Sequence, residues 1–292
     1  MNLSDLKKRL CVSSVVIVFL SLLVYFSPIL FVKGAIVLIV MCLSAIALWE
    51  YVQLFVAKNI KLSTKTMIAL STALIGSFFI PAFGMSFSIF PVAVIFFGAV
   101  LFFLMRFNDI SNAMVKIASE FFGLLYIAIP LSLMLSILYL DSFREGLPQD
   151  GRYWILYLIL VTKINDVGAY FIGRAFGRRK LAPLLSPKKT IEGAIAGLAC
   201  SIVISFLMYV GSSIGIFANF SLGLGESLYL GLFIGVLGQI GDLSESLFKR
   251  DALVKDSNKL PGLGGILDMI DSLLFTAPFL YFFLKLTSTS QL

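Results

Sequence analysis

GDLSESLFKRDALVKDSNKLPGLGGILDMIDS, residues 241–272, decides how this chain folds. Six carboxylates (Asp242, Glu245, Asp251, Asp256, Asp268 and Asp271) are interleaved with Lys249, Arg250, Lys255 and Lys259. On both sides the sequence is apolar enough to lie in a bilayer. The break at Pro261, Gly262, Gly264 and Gly265 then delivers Asp268 and Asp271 to the start of the last hydrophobic run. Charged groups set beside membrane spans carry a desolvation cost, so they are read as functional, with partners to be named.

Outward from that segment the chain is bilayer-like. It has 292 residues, is 59% hydrophobic and 13% charged, and has a mean hydropathy of +1.01. A soluble domain is about half apolar and about a quarter charged, so the composition predicts one all-α polytopic membrane protein. A span takes roughly 17–25 apolar residues, and that ruler gives nine: 10–28, 34–56, 66–83, 87–105, 119–140, 153–174, 190–213, 226–248 and 265–286. The first follows Lys7, Lys8 and Arg9 without a small-residue cleavage site, which predicts an uncleaved helix. Residues 1–150 read as lipid-facing scaffold helices, and 151–292 as a catalytic region with cytoplasmic loops. The polar segments 141–152 and 212–226 read as plain connections.

With a cytoplasmic N-terminus, eighteen of the 23 Lys and Arg fall on the cytoplasmic side, four fall opposite, and Lys163 lies within a span. Such a bias sets orientation and predicts a multi-pass protein of the cell (inner) membrane whose site faces the cytoplasm. The 28 Phe lie mostly inside the apolar runs, which suits contact with a lipid bilayer and not with nucleic acid. There is no His, which removes imidazole bases and His-containing zinc sites. Cys11, Cys42 and Cys200 lie in apolar runs without metal-ligand spacing, against a disulfide framework.

Three cytoplasm-facing clusters could carry chemistry. Lys163 and Asp166 are three apart on one helical face. They are either a structural ion pair, or Asp166 takes a cation and leaves Lys163 for an anionic substrate. Arg178, Arg179 and Lys180 read as an orientation signal that attracts anionic lipid. The following Ser186-Pro-Lys188-Lys189-Thr190 differs, because two lysines and two hydroxyls meet a helix N-terminus, where free amides bind phosphate. In the third cluster Asp242 lies roughly 10 Å deeper than Lys249, at about 1.5 Å per helical residue. Asp268 and Asp271 point one way on the last helix and repel each other unless a cation lies between them. Acidic residues also favour a first helical turn, but Asp271 is far into an apolar helix for that. Asp242, Asp268 and Asp271 therefore read as ligands of a divalent cation, and oxygen-only ligation points to Mg2+ with a second cation left open. Metal-binding acids among lysines and arginines at a membrane face suit phosphoryl chemistry on a lipid-associated substrate.

Ser246-Leu-Phe-Lys249-Arg250-x4-Lys255-Asp256 followed by Pro261-Gly262-x-Gly264-Gly265-x-x-Asp268-x-x-Asp271 resembles the signature of phosphatidate cytidylyltransferases, the CDP-diacylglycerol synthases. Lys163-x-x-Asp166-x-Gly168-Ala-Tyr170-x-x-Gly173-Arg174-x-Phe-Gly177 and Ser186-Pro-Lys188-Lys189-Thr190-x-Glu192-Gly193 are similar to that family as well. The resemblance covers about 160–275, and the first 150 residues share only a series of spans. It implies that a phosphatidic acid oxygen attacks the α-phosphate of CTP, giving CDP-diacylglycerol and pyrophosphate. By matched position it implies Asp242, Asp268 and Asp271 as metal ligands, with Asp166 beside them. Lys188, Lys189, Lys249, Arg250 and Lys255 then contact the triphosphate or head group, Lys163 serves the anionic substrate, and Ser186 and Thr190 donate to phosphate. Gly262, Gly264 and Gly265 let the backbone approach the nucleotide. Leu263 stands where the family has His, and Met269 where it has Arg. An already ionised phosphate nucleophile needs no general base, so a chain without histidine can run the reaction.

Two other functions stay open: a related lipid or polyprenol kinase, and a cation-coupled transporter. Transporters pair interrupted helices in two halves of the chain, whereas the charged spans here all lie in the second half. Subunit number is unspecified, and a homodimer is left open.

Overall fold

Apolar runs of membrane-crossing length become helices. The computed structural model describes residues 21–80, 89–144, 147–217, 219–254 and 265–287. Residues 21–25 are helical, and eight helices follow: α1 (Leu30–Ala57), α2 (Thr64–Phe79), α3 (Ile89–Arg106), α4 (Ala113–Leu138), α5 (Gly151–Phe176), α6 (Ile191–Ser213), α7 (Leu224–Asp251) and α8 (Ile266–Thr287). All except α2, which has 16 residues, are long and apolar enough to cross a membrane, making seven such helices among the described residues. The all-α polytopic class stands. The span expected at 10–28 falls largely outside the described residues.

Two short antiparallel ribbons interrupt the helices: β1 (Asp141–Arg144) with β2 (Leu147–Asp150), and β3 (Lys180–Ala182) with β4 (Ser186–Thr190). The chain forms two compact units, one of residues 1–132 with 252–269 and one of 133–251 with 270–292.

In the first unit, polar side chains stitch apolar helices together. Ser44 and Ser71 share a 2.6 Å hydroxyl contact, and Tyr51 donates to the Ser119 carbonyl at 3.0 Å. Glu120, fully buried, pairs with the Arg106 guanidinium and accepts the Ser63 N–H at 2.7 Å. Lys116 donates to Asp109 at 2.8 Å and holds that carboxyl below its usual range. In α4 a π-helical stretch, Leu124–Ala128, ends two residues before Pro130. A proline inside a helix lacks its N–H and clashes with the preceding turn; the wider turn absorbs this, and Ser132 covers the Ala128 carbonyl at 2.7 Å.

The second unit is built on close helix approach. A Cβ on Gly193 in α6 would lie 2.7 Å from the Ala169 carbonyl and 2.9 Å from the Gly173 Cα in α5. Lipid offers no hydrophobic drive for helix association, so such small-residue contacts carry the packing. The segments expected to be plain connections are more than that. β1–β2 is a hairpin, and Gln149 within β2 accepts from Trp154 Nε1 and Ser221 N–H, each at 3.2 Å. The ring of Trp154, fully buried, packs tilted against Phe220 with centroids 4.8 Å apart, so the 212–226 connection is fastened to the start of α5. Turn composition hid this from the sequence, because the aromatic partners lie more than sixty residues apart.

Candidate active site

The second unit encloses a cavity of about 770 Å³. Helix α5 supplies Asp166, Tyr170 and Arg174, the β3–β4 ribbon Lys180, Lys188, Lys189 and Thr190, and α7 Gln239 and Asp242. Four cations and two carboxylates therefore line one space.

Local chemistry explains how the ribbon reaches it. Thr190 is the N-cap of α6 and accepts the Gly193 N–H at 3.2 Å, closing the ribbon onto the helix. The Glu192 carboxylate accepts the N–H groups of Arg178 at 3.0 Å and Arg179 at 3.1 Å, and the Arg179 carbonyl accepts from Ile191 at 2.9 Å. The basic loop is thus bent back over the α6 N-terminus, and Lys180 comes to lie opposite Thr190 in the ladder. Strand pairing puts Lys180, read from sequence as an orientation signal, on the cavity wall as well. Lys188 and Lys189 line the cavity as expected for anion-binding residues, while Ser186 pairs with Ala182 in the ladder and is not among the lining residues.

The acids are neutralised within the protein. Lys163 Nζ lies 3.7 Å from Asp166, and Lys189 makes a contact ion pair with Asp242. Behind Asp242, a Cβ on Gly241 would be 2.5 Å from the Asp271 carbonyl oxygen, so α7 and α8 touch backbone to backbone there. Asp271 is buried, with Oδ1 accepting the Ser272 N–H at 2.5 Å and its hydroxyl at 3.1 Å. Asp268 occupies the first turn of α8, three residues earlier. Lys249 and Arg250 are not among the lining residues: Lys249 pairs with the buried Glu245, and Arg250 Nε donates to the Leu185 carbonyl at 3.1 Å, bracing the β3–β4 turn. Gly265 is buried just ahead of α8, and Lys255, Gly262 and Gly264 lie outside the described residues.

Among the described residues no three His, Cys, Asp or Glu side chains form a ready-made metal cluster. The donor chemistry nevertheless fits a hard dication. Asp166 and Asp242 offer carboxylate oxygens to one cavity, Asp271 sits at the helix contact beside Asp242, and Lys163 and Lys189 pair with the two cavity acids.

Sequence reading missed Gln239 and Asn165. Gln239 Nε2 donates to Asn165 Oδ1 at 3.0 Å and to the Ala194 carbonyl at 2.9 Å, and Asn165 Nδ2 donates to the Gly235 carbonyl at 2.9 Å. This amide chain fastens α5, α6 and α7 together beside the cavity. Its signal was present, since buried amides in apolar spans must find partners. Arg174, donating to the Tyr170 hydroxyl at 3.0 Å, is a further wall residue, present in the motif but assigned no role from it.

Fold and cavity define an α-helical membrane protein with a chamber in whose wall four cations and two carboxylates are set, suited to a phosphate-bearing ligand. Comparison with known proteins narrows this. The sequence model of the cytidylyltransferase family matches residues 7–287, and the chain belongs to that family. It is 35% identical to the phosphatidate cytidylyltransferase of Chlamydia pneumoniae over 292 residues, 98% of this chain and 94% of that protein. Shorter matches include the phosphatidate cytidylyltransferases of Chlamydia muridarum, 40% identical over 57% of this chain and 54% of that protein, and of Staphylococcus haemolyticus, 46% over 45% and 49%. The motif resemblance is borne out.

Proposed function

We propose that this chain transfers the cytidylyl group of CTP to phosphatidic acid, forming CDP-diacylglycerol and pyrophosphate, with magnesium, at the cytoplasmic face of the membrane. The observation that carries the reading is the cavity: four cations and two carboxylates in about 770 Å³, in a chain matched to the family over nearly its whole length. That volume falls in the roughly 300–1,000 Å³ range of small-molecule sites.

Arg174, Lys180, Lys188 and Lys189 face the triphosphate and offset its charge. A phosphatidate oxygen attacks the α-phosphorus, a new P–O bond forms, the bond to the bridging β-phosphate oxygen breaks, and pyrophosphate leaves with that electron pair. The nucleophile arrives ionised, so no side chain takes a proton. Lys163 and Lys189 exchange their carboxylate partners for phosphate oxygens, leaving Asp166 and Asp242 for the cation. Asp271 and Asp268, one turn apart on α8, complete the proposed ligand set on the strength of their spacing. Bound magnesium supplies charge neutralisation at the reacting phosphate and alignment of nucleophile with leaving group. Orientation toward the cytoplasm rests on the distribution of Lys and Arg.

The test is pyrophosphate release by purified protein given CTP, magnesium and phosphatidic acid, with and without chelator. Release that needs all three supports the reading. CDP appearing in place of pyrophosphate marks a kinase, and neither product marks a transporter.

A further inference from the structure

Gln239 and Asn165 form a chain of amides whose orientation the backbone dictates. Gln239 Nε2 donates to the Ala194 carbonyl at 2.9 Å and to Asn165 Oδ1 at 3.0 Å, and Asn165 Nδ2 donates to the Gly235 carbonyl at 2.9 Å. A backbone carbonyl only accepts, so the nitrogen of each amide must face it and neither amide can turn over. The donors of Gln239 are thus spent within the second unit, and Oε1 is what its amide has left to offer. Among the described residues nothing donates to that oxygen, and it is not sealed from solvent. Gln239 itself lines the cavity, one turn before Asp242 on α7.

The other side chains of the wall have different chemistry. Arg174, Lys180, Lys188 and Lys189 are cations, and Asp166 and Asp242 are paired with Lys163 and Lys189. The Tyr170 and Thr190 hydroxyls already accept, from Arg174 at 3.0 Å and from the Gly193 N–H at 3.2 Å, so each keeps a proton to give. Gln239 Oε1 is therefore the uncharged side-chain oxygen of the wall that can only accept, and it calls for a donor. The esters and ionised phosphate of phosphatidic acid accept, as does the triphosphate of CTP. The donors of the two substrates lie on the nucleoside: the 4-amino group of cytosine and the ribose hydroxyls. A hydroxyl both donates and accepts and can rotate to suit either end of an amide, whereas the amino group only donates. A free glutamine would turn over and offer its N–H to the carbonyl that uracil carries at the same place; one locked from behind cannot. We infer that Gln239 is a specificity-determining residue whose Oε1 accepts a hydrogen bond from the 4-amino group of the cytosine base. This rests on the reading of the cavity as the CTP site.

The test uses the full chain in detergent with Mg2+ and phosphatidic acid. It compares kcat/KM for CTP, for dCTP and for the 2-pyrimidinone ribonucleoside triphosphate, which is CTP without the amino group. Gln239→Lys keeps donors toward the Ala194 carbonyl and Asn165 but has no acceptor. A site built to hydrogen-bond a substrate group rejects the analogue that lacks it, and one such contact is worth about tenfold. Wild type is expected to prefer CTP to the analogue about tenfold. In Gln239→Lys that preference falls to about one, while the ratio of CTP to dCTP stays at the wild-type value. Ratios decide because a variant harmed in its fold loses on all three substrates alike. An unchanged preference in Gln239→Lys overturns the inference, since Gln239 then only fastens helices. A change confined to the dCTP ratio overturns it too, because the oxygen then faces the sugar. Wild-type protein that uses CTP and the analogue equally overturns it without any variant. If Gln239→Lys does not fold, Gln239→Asn, which draws the acceptor back by one methylene, decides on the same ratios. Wild-type protein that releases no pyrophosphate from CTP removes the proposed function itself, and this inference with it, a failure distinct from release without discrimination.

Discussion

Gly241→Ala probes the helix contact that sets the acidic side of the site. The added Cβ would stand 2.5 Å from the Asp271 carbonyl oxygen and 3.0 Å from the Ser272 Cα, whereas ordinary van der Waals contact begins at 3.4 Å. Both neighbours are backbone, so no side chain can swing aside, and α7 and α8 must part by about 1 Å. Displacement of that size between catalytic groups costs about a hundredfold in rate, or about 2.7 kcal/mol on the barrier. Overpacking a tight contact costs roughly 1–3 kcal/mol of stability as well. The assay is radiolabelled CDP-diacylglycerol formation in mixed micelles, with melting followed in parallel so that lost activity is not lost fold. Gly225→Ala is the control on the same helix, since a Cβ there meets nothing within 4 Å; it should retain full activity. A folded Gly241→Ala enzyme with near-normal kcat/KM refutes the claim that this contact places Asp242 against Asp271.

Asp242→Asn, Asp268→Asn and Asp271→Asn should each abolish turnover while the protein stays folded in detergent; near-normal activity in any of them removes that residue from the ligand set. Lys180→Ala should raise KM for CTP about tenfold, the scale of one lost charge-assisted contact of about 1.4 kcal/mol; an unchanged KM restores the orientation-only reading. Trp154→Ala should destabilise the second unit by roughly 3–5 kcal/mol, read as a lower melting temperature, and parity with wild type would mean the aromatic cluster does not fasten the 212–226 connection.

Hydropathy made the helices legible because burial in lipid demands long apolar runs, but of the nine expected spans seven stand as membrane-crossing helices among the described residues: the one at 10–28 falls largely outside them, and the one at 66–83 is the 16-residue α2, Thr64–Phe79. Asp166, Lys188, Lys189 and Asp242 were legible as a site because acids and cations in apolar surroundings stand out, and all four line the cavity. What sequence could not give was which partner each charge chooses. Spacing sets Arg250 beside Lys249, yet Arg250 turns to the Leu185 carbonyl, a choice fixed by where the ribbon folds. Glu50 stands out in sequence as a lone acid inside an apolar run, but its partners are backbone amides, which carry no sequence mark. The place of Lys180 on the cavity wall has a similar origin: Glu192, accepting two loop N–H groups, folds the basic loop back over the start of α6.

The ion pair between Lys189 and Asp242 makes a prediction of opposite signs. In the free protein the lysine satisfies the carboxylate, so it competes with a cation for Asp242 and with Asp242 for a phosphate. Lys189→Ala removes the competitor and the phosphate contact together. Metal binding without nucleotide should therefore tighten, while CTP binding in the presence of metal should weaken, each by about tenfold for a partly exposed charge pair of roughly 1 kcal/mol or somewhat more. Titration calorimetry with Mn2+ alone, then with CTP at saturating Mn2+, reads the two separately. A lysine that served only the fold would move both affinities in the same direction. Parallel losses would place Lys189 in the framework, and Asp242 would then need another route to its cation.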